Sequence, residues 1–206
     1  ASLNSLTSGA NNVAIGYHAA KTLTTAQQNI AIGREALENH LTGESNIAIG
    51  YLAMGDTLSG GGTTSQNSNH NTFIGLVSGG GQWANAESNF NVGVGNYTMD
   101  GAMNGAGSNT AVGYGSLGAL TQGDQNVAVG TVCMDSLTTG TNNTCIGYNA
   151  DTSAVGSTNQ TVIGFDAAGQ ADNSVTLGNA SVDRVYMAQD GAAVMYANGT
   201  INTSDK

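Results

Sequence analysis

Residues 29–45 read NIAIGREALENHLTGES, and the first five of them recur along the whole chain. NNVAIG (11–16), SNIAIG (45–50), SNTAVG (108–113), QNVAVG (125–130), NNTCIG (142–147) and NQTVIG (159–164) are variants of one word. The glycines that close it are Gly16, Gly33, Gly50, Gly75, Gly95, Gly113, Gly130, Gly147, Gly164 and Gly178, spaced 17, 17, 25, 20, 18, 17, 17, 17 and 14 residues apart. A near-constant period of this kind marks a stacked repeat, in which each unit buries its apolar side only against its neighbours.

The fullest unit reads Asn, apolar, small, apolar, Gly, often Tyr, then an Ala near +3 and apolar residues at +4 and at +7 or +8. Asn-Ile-Ala-Ile is short, β-branched and alternating, which predicts a strand. The Gly then takes the backbone round a corner that other residues disfavour. A second short strand carrying Ala20 and Leu23 is expected to run back, with TGES or TQGD as the next turn. REALENHL has helical propensity, but its counterparts NYTMDGAM and TVCMDSLT do not, and one fold must suit all units.

Two strands and two turns in about 17 residues make one coil of a β-solenoid. The expected fold is therefore all-β, a parallel β-solenoid or β-roll of about ten coils. At about 4.8 Å per coil it forms a rod on the order of 50 Å long. Asn12, Asn29, Asn46, Asn71, Asn91, Asn109, Asn126 and Asn143 then form one column, bonding to one another and to corner backbone groups. Within each strand, Val13, Ile15, Ile30, Ile32, Ile47, Ile49, Val127 and Val129 are expected to fill the coil. The small residues Ala14, Ala31, Ala48, Gly93, Ala111, Ala128 and Cys145 are expected to face outward, against a neighbouring chain. Such thin coils gain core by association, and three chains about one axis is the simplest closed arrangement, so a homotrimer, intertwined or side by side, is expected.

Composition excludes several classes. The 206 residues carry 31 Gly, no Pro, 39% hydrophobic and 9% charged residues; regular apolar clusters argue against a disordered linker. A net charge of −10, with only Lys21, Arg34, Arg184 and Lys206 basic, argues against nucleic acid and anionic membrane surfaces. No apolar run is long enough to span a bilayer, and the stretch as read is not expected to hold a signal peptide. Because the first residues already resemble the repeat, the chain is expected to be a piece of a longer protein. Cys133 and Cys145 form no disulfide framework, and Cys145 occupies the small-residue slot as a buried hydrophobe. His18, His40 and His70 are scattered and read as surface or turn residues. No metal, cofactor or nucleophilic motif is present. Glu35, Glu38, Glu44, Asp56, Glu87 and Asp100 fall at unrelated repeat positions and give no paired-carboxylate site for glycoside hydrolysis. No Thr ladder suggests ice binding. No enzymatic role or cofactor is expected.

The motif NxAIGYxAL…L resembles the head repeats of trimeric autotransporter adhesins, which are left-handed parallel β-rolls assembled as trimers. With its Tyr-x-Ala-Leu and Thr-x-Gly elements and a period longer than is usual in those adhesins, it also resembles repeats of bacteriophage tail fibres. The C-terminal stretch NSVTLGNASVDRVYMAQDGAAVMYANGTINTSDK (173–206) resembles the segment before the self-cleaving intramolecular chaperone of phage tail fibres and endosialidases. That resemblance implies a cleavage boundary at Ser204 and Asp205, with the chaperone itself absent from this chain. It divides the chain into a β-roll at 1–181, with insertions around 55–110, and a C-terminal β-stalk segment at 182–206. It implies a virion-borne, extracellular tail-fibre segment that attaches to a host-surface glycan or outer-membrane protein. The alternatives are an autotransporter adhesin head and, less favoured, a glycan-degrading tailspike.

Loops carry recognition while the scaffold positions them. The three long intervals hold SGGGTTSQNSNHN (59–71), GGGQWANAESN (79–89) and DGAMNGAGSN (100–109). They should form one bulge midway along the rod. Trp83, the only Trp, lies there with His70 and Gln82, and these three are the candidate receptor contacts. The competing reading of Trp83 is that its ring closes the enlarged coil over the core.

Overall fold

The computed structural model describes residues 1–55 and 67–185. Ten short strands, β1 (Val13–Ile15), β2 (Ile30–Ile32), β3 (Ile47–Ile49), β4 (Thr72–Ile74), β5 (Val92–Val94), β6 (Thr110–Val112), β7 (Val127–Val129), β8 (Thr144–Ile146), β9 (Gln160–Ile163) and β10 (Ser174–Leu177), pair in chain order in one parallel sheet. The register follows the repeat, so Ala14 pairs with Ala31, Ala31 with Ala48 and Ala111 with Ala128. Nine successive turns of the chain connect the ten strands, and the molecule is a β-solenoid.

The expected return strand is not formed. After the first seven Gly corners the chain passes through residues of positive φ at +2 and +4, such as His18 (57°) and Ala20 (50°), Glu35 (60°) and Leu37 (51°), Val132 (46°) and Met134 (54°), whereas after Gly147 and Gly164 only the +2 residues, Asn149 (51°) and Asp166 (52°), are of this kind. Alternation of this kind curls the chain too tightly for a second sheet. The left-handed conformation costs L-residues roughly 1–2 kcal/mol each. It is held by bonds from coil to coil: Glu35 N–H donates to Tyr17 O at 2.8 Å, Leu52 to Arg34 O at 3.0 Å and Val132 to Tyr114 O at 2.8 Å. The corner glycines are required twice over. Gly33 has φ 134°, and a Cβ on it would lie 2.4 Å from the carbonyl oxygen of Gly50 in the next coil.

The two faces of the sheet are the reverse of the sequence expectation. Ala31, Ala48, Phe73, Ala111, Ala128, Cys145 and Val162 are fully buried inside the coil. Val13, Ile15, Val92, Val94, Val127, Val129, Ile146 and Ile163 point outward, and Ile15 is 60% exposed. The reason is the curled segment. It brings Leu23, Leu37, Met54, Met99, Leu117, Leu120, Met134 and Leu137 into the interior. With those bulky groups opposite, the inner face of a three-residue strand has room for little more than a methyl group. Val162 and Phe73 are larger, and Phe73 shows the limit. Its ring takes the space left by Gly93 in the next strand and by Gly79, where an added Cβ would lie 2.5 and 2.7 Å from ring atoms.

The asparagine column lies where the period places it. Asn29, Asn46, Asn71, Asn91, Asn109, Asn126 and Asn143 are completely buried. Each side-chain oxygen accepts two bonds from the next Asn: Asn126 donates to Asn109 Oδ1 from its backbone N–H and from Nδ2, both at 3.0 Å. Each Nδ2 also donates across the coil to a turn carbonyl, as Asn109 does to Gly123 O at 2.8 Å. Gln160 takes the next position, its N–H donating to Asn143 Oδ1 at 2.9 Å. Residues 182–185 follow the last strand without regular structure. The rest of the expected stalk, with Ser204 and Asp205, lies outside the described residues, as does Asp56.

Replacing Asn109 by Ala should leave the Gly123 carbonyl and the Asn126 N–H without partners in a dry interior, at about 1–3 kcal/mol for each orphaned group. Replacing exposed Gln125 by Ala should cost under about 0.5 kcal/mol. Denaturant titration of both variants checks this, and equal midpoints would contradict a structural role for the column.

Candidate adhesive surface

Among the described residues, the outer face of the sheet carries a long run of exposed and half-exposed apolar side chains. One column runs Ile15, Ile32, Ile49, Ile74, Val94, Val112, Val129, Ile146, Ile163 and Leu177, aliphatic at every level. A second, two residues earlier in each strand, mixes Val and Ile with Thr. Beside them, one residue past the Gly corner, stand Tyr17, Tyr51, Tyr114, Tyr148 and Phe165, all exposed. Tyr148 and Phe165 stack at 5.5 Å. Arg34 takes the same slot between Tyr17 and Tyr51, with its guanidinium 5.8 and 5.5 Å from their ring centroids. At about 4.8 Å per strand the aliphatic strip is about 45 Å long and about 10 Å wide. That is at the upper range of what monomeric proteins leave bare.

The opposite edge of the sheet is polar. The residue before the asparagine position of each coil, filled by Gln160 and Ser174 in the last two, sits in the left-handed region: Asn11, Gln28, Ser45, His70, Phe90, Ser108, Gln125, Asn142, Asn159 and Asn173 all have φ between 54° and 62°. Only His70 and Phe90 are rings in this column. They are exposed and stacked, with centroids 5.2 Å apart and planes 5° from parallel.

The three candidate contacts are not gathered into one site. His70 and Gln82 are exposed, whereas Trp83 is fully buried. The Trp83 ring meets Phe73 edge-on at 6.0 Å, and its Nε1 finds no partner among the described residues. Trp83 closes the enlarged coil over its core and offers no surface to a partner. Phe90, which the sequence reading passed over, is the aromatic group that stands in the open beside His70. Its signal was its position: it fills a corner slot that every neighbouring unit gives to a polar or small residue.

His40 corrects a second expectation. It is fully buried, in the +7 slot that Leu23, Leu120 and Leu137 fill in other coils. Nε2 lies 2.9 Å from Ser68 O and 3.2 Å from Asn46 Nδ2, and Nδ1 has no partner among the described residues. Burial lowers its pKa from 6.5 to about 4, opposed only in part by the bond to Ser68. A cradle for this ring is built by Gly43, where a Cβ would lie 2.0 Å from Nε2.

Glu35 and Glu38 do come together with His18, their ligand atoms all lying within 4.8 Å of one another. Their charge is already matched. Glu38 meets Lys21 at 3.2 Å and His18 at 3.1 Å, and Glu35 meets Arg34 at 3.0 Å. The group is a half-exposed ion-pair network binding two coils together. Cys133 and Cys145 are free and buried, and the Cys133 thiol donates to Cys145 O at 3.2 Å. Burial raises the carboxyls of Asp100 and Asp135.

Comparison with known proteins finds no matching family model, curated protein or solved structure.

Two outcomes follow. Trp83→Ala should destabilise the fold by about 3–5 kcal/mol, while Gln82→Ala changes it by less than about 0.5 kcal/mol; denaturation midpoints separate them. His40 binds its proton less readily folded than unfolded, so stability is full above pH 6.5 and falls as pH drops toward 4, by up to about 1.4 kcal/mol per unit. His40→Leu should remove that part of the slope, read from melts across the same range.

Proposed function

We propose that the chain is a segment of a stiff, extracellular homotrimeric fibre of the phage tail-fibre kind, which attaches its particle to a host surface. The observation that carries this reading is the aliphatic outer face of the sheet. A rod with an apolar strip along its whole length is unsuited to life as a single chain in water, and a long, regular strip suits a second long, regular strip. Copies of the same chain supply that match without a separate partner. The interface is thus assigned to the outward Val and Ile columns, and the small-residue column belongs to the core of each chain.

Other features support a fibre. The sheet ties every strand to the next, the amide column continues from Asn12 to Gln160, and the net charge of −10 keeps long assemblies apart in solution. The three intervals longer than 17 residues are consecutive, at mid-rod, where surface variation is free to serve recognition. Attachment is therefore placed on the sides of the rod, at its enlarged coils, and a host-surface glycan or outer-membrane protein is the receptor class.

The test is the mass of the native protein and two neighbouring substitutions. Light scattering should give three times 20.6 kDa. Val112→Lys, on the outer face, should dissociate the assembly. Ala111→Leu, one residue earlier, should lower the melting temperature by overpacking the coil, at about 1–3 kcal/mol, in a protein that still associates. A folded wild-type monomer, or dissociation by Ala111→Leu with Val112→Lys silent, would overturn the proposal.

A further inference from the structure

Among the described residues, no further ring stacks on the outer faces of the pair His70–Phe90. In the corner column the order along the rod is Gln28, Ser45, His70, Phe90, Ser108 and Gln125, one residue per coil, each N–H bonded to a carbonyl of the coil before: His70 to Glu44 O, Phe90 to Asn69 O and Ser108 to Asn89 O. The two rings lie face to face along the axis at 5.2 Å, close to the spacing of the coils themselves. The flanking residue on either side is a serine, too small to cover a ring. Phe90 is 59% exposed and holds φ 62°, a conformation that a large side chain rarely adopts. An aromatic ring placed in a strained backbone slot and left in water is unfavourable on both counts. Every residue of this column meets the same backbone demand, as Ser108 does in the next coil, so what sets Phe90 apart is a large ring left in water with only His70 against it.

We infer that the level of Ser108 is a binding slot for the pyranose ring of a neutral glycan, which continues the aromatic stack one step beyond Phe90. This rests on the reading of the rod as a surface-attachment fibre and names the chemistry of its receptor. A sugar ring presents a face of C–H groups and a rim of hydroxyls. The open Phe90 face suits the first. The Ser108 hydroxyl at the same level and the exposed Gln125 amide on the next suit the second. Charge decides against acidic ligands, because Glu87, Asp124 and Glu44 border the column and none of the chain's four basic residues lies in it. A sulfated or sialylated sugar would be repelled, and a neutral hexose or N-acetylhexosamine would not.

The experiment is saturation-transfer NMR on the intact protein with methyl glycosides of galactose, glucose, mannose and N-acetylglucosamine. At least one should receive saturation, strongest at its ring C–H protons. Phe90→Ser should weaken it by about tenfold or more, and Gln125→Ala should weaken it less. Phe90→Ser installs the residue that the next coil already uses, so it should melt no lower than the wild type. His70→Ser, which removes the support behind Phe90, should also weaken binding. Silence from all four glycosides, or binding undiminished in Phe90→Ser, would overturn the site. Native mass and adhesion to host cells, measured on the same preparation, report on the attachment reading separately: adhesion that survives Phe90→Ser in a trimer leaves the fibre standing without this slot.

Discussion

One buried amide per coil holds this solenoid open at the right width. A turn of chain with a three-residue strand cannot satisfy its own corner: the N–H at the strand start and the carbonyl across the coil both face a dry interior. The asparagine side chain has the two acceptor sites and two donor hydrogens needed to close that account. Asn126 illustrates it, with Nδ2 shared between Asn109 Oδ1 at 3.0 Å and Gly140 O at 2.9 Å while its own oxygen serves Asn143. A leucine would fill the space but strand the backbone, and a glutamine is used only at Gln160, where its longer arm reaches Ser153 and Asp172 instead. The amide fixes the coil width, and the coil width decides what else fits.

A narrow coil filled by Leu and Met from its curled side leaves the sheet with small residues inside. The alternation of a strand then sends the β-branched residues outward, because successive side chains point to opposite faces. The apolar exterior is thus a consequence of the interior and not an independent surface design. A chain built this way carries an apolar strip along its sheet from the moment it folds, and the proposed assembly would cover it. The same geometry sets the surface columns at one coil spacing, so that aromatic groups in consecutive units stack, as Tyr148 does with Phe165 and His70 with Phe90.

The period, the strands, the Gly corners and the asparagine column were legible in the sequence, because each depends on residues repeated at fixed offsets. The direction of the faces was not. Alternation shows that a strand has two faces without saying which one is inside, and hydrophobicity favoured the wrong one. Two signals pointed the other way: the bulky residues at +4 and +7, which need an interior of their own, and the substitution of Gly93 opposite Phe73, a volume exchange that only packed neighbours require. Reading Ala20 and Leu23 as a strand hid the first, since nothing in a single sequence announces left-handed residues such as Val77 or Val132. His40 was misplaced for a related reason: a histidine reads as polar until the units are aligned and it falls in the leucine slot. Phe90 was missed because attention to a lone Trp outweighed the oddity of a Phe where neighbours have Ser, Gln and Asn.

The central claim is that the aliphatic outer face is covered by copies of this chain. With Cys133 and Cys145 replaced by Ala, a single cysteine at Val129 measures it by thiol labelling of the native protein. In one chain alone Val129 is 38% exposed, which leaves such a thiol open to maleimide. The account predicts that it stays unlabelled in the native assembly, while a cysteine at exposed Asp135 reacts at once and both react after denaturation. Rapid labelling at position 129 in the native protein would contradict it.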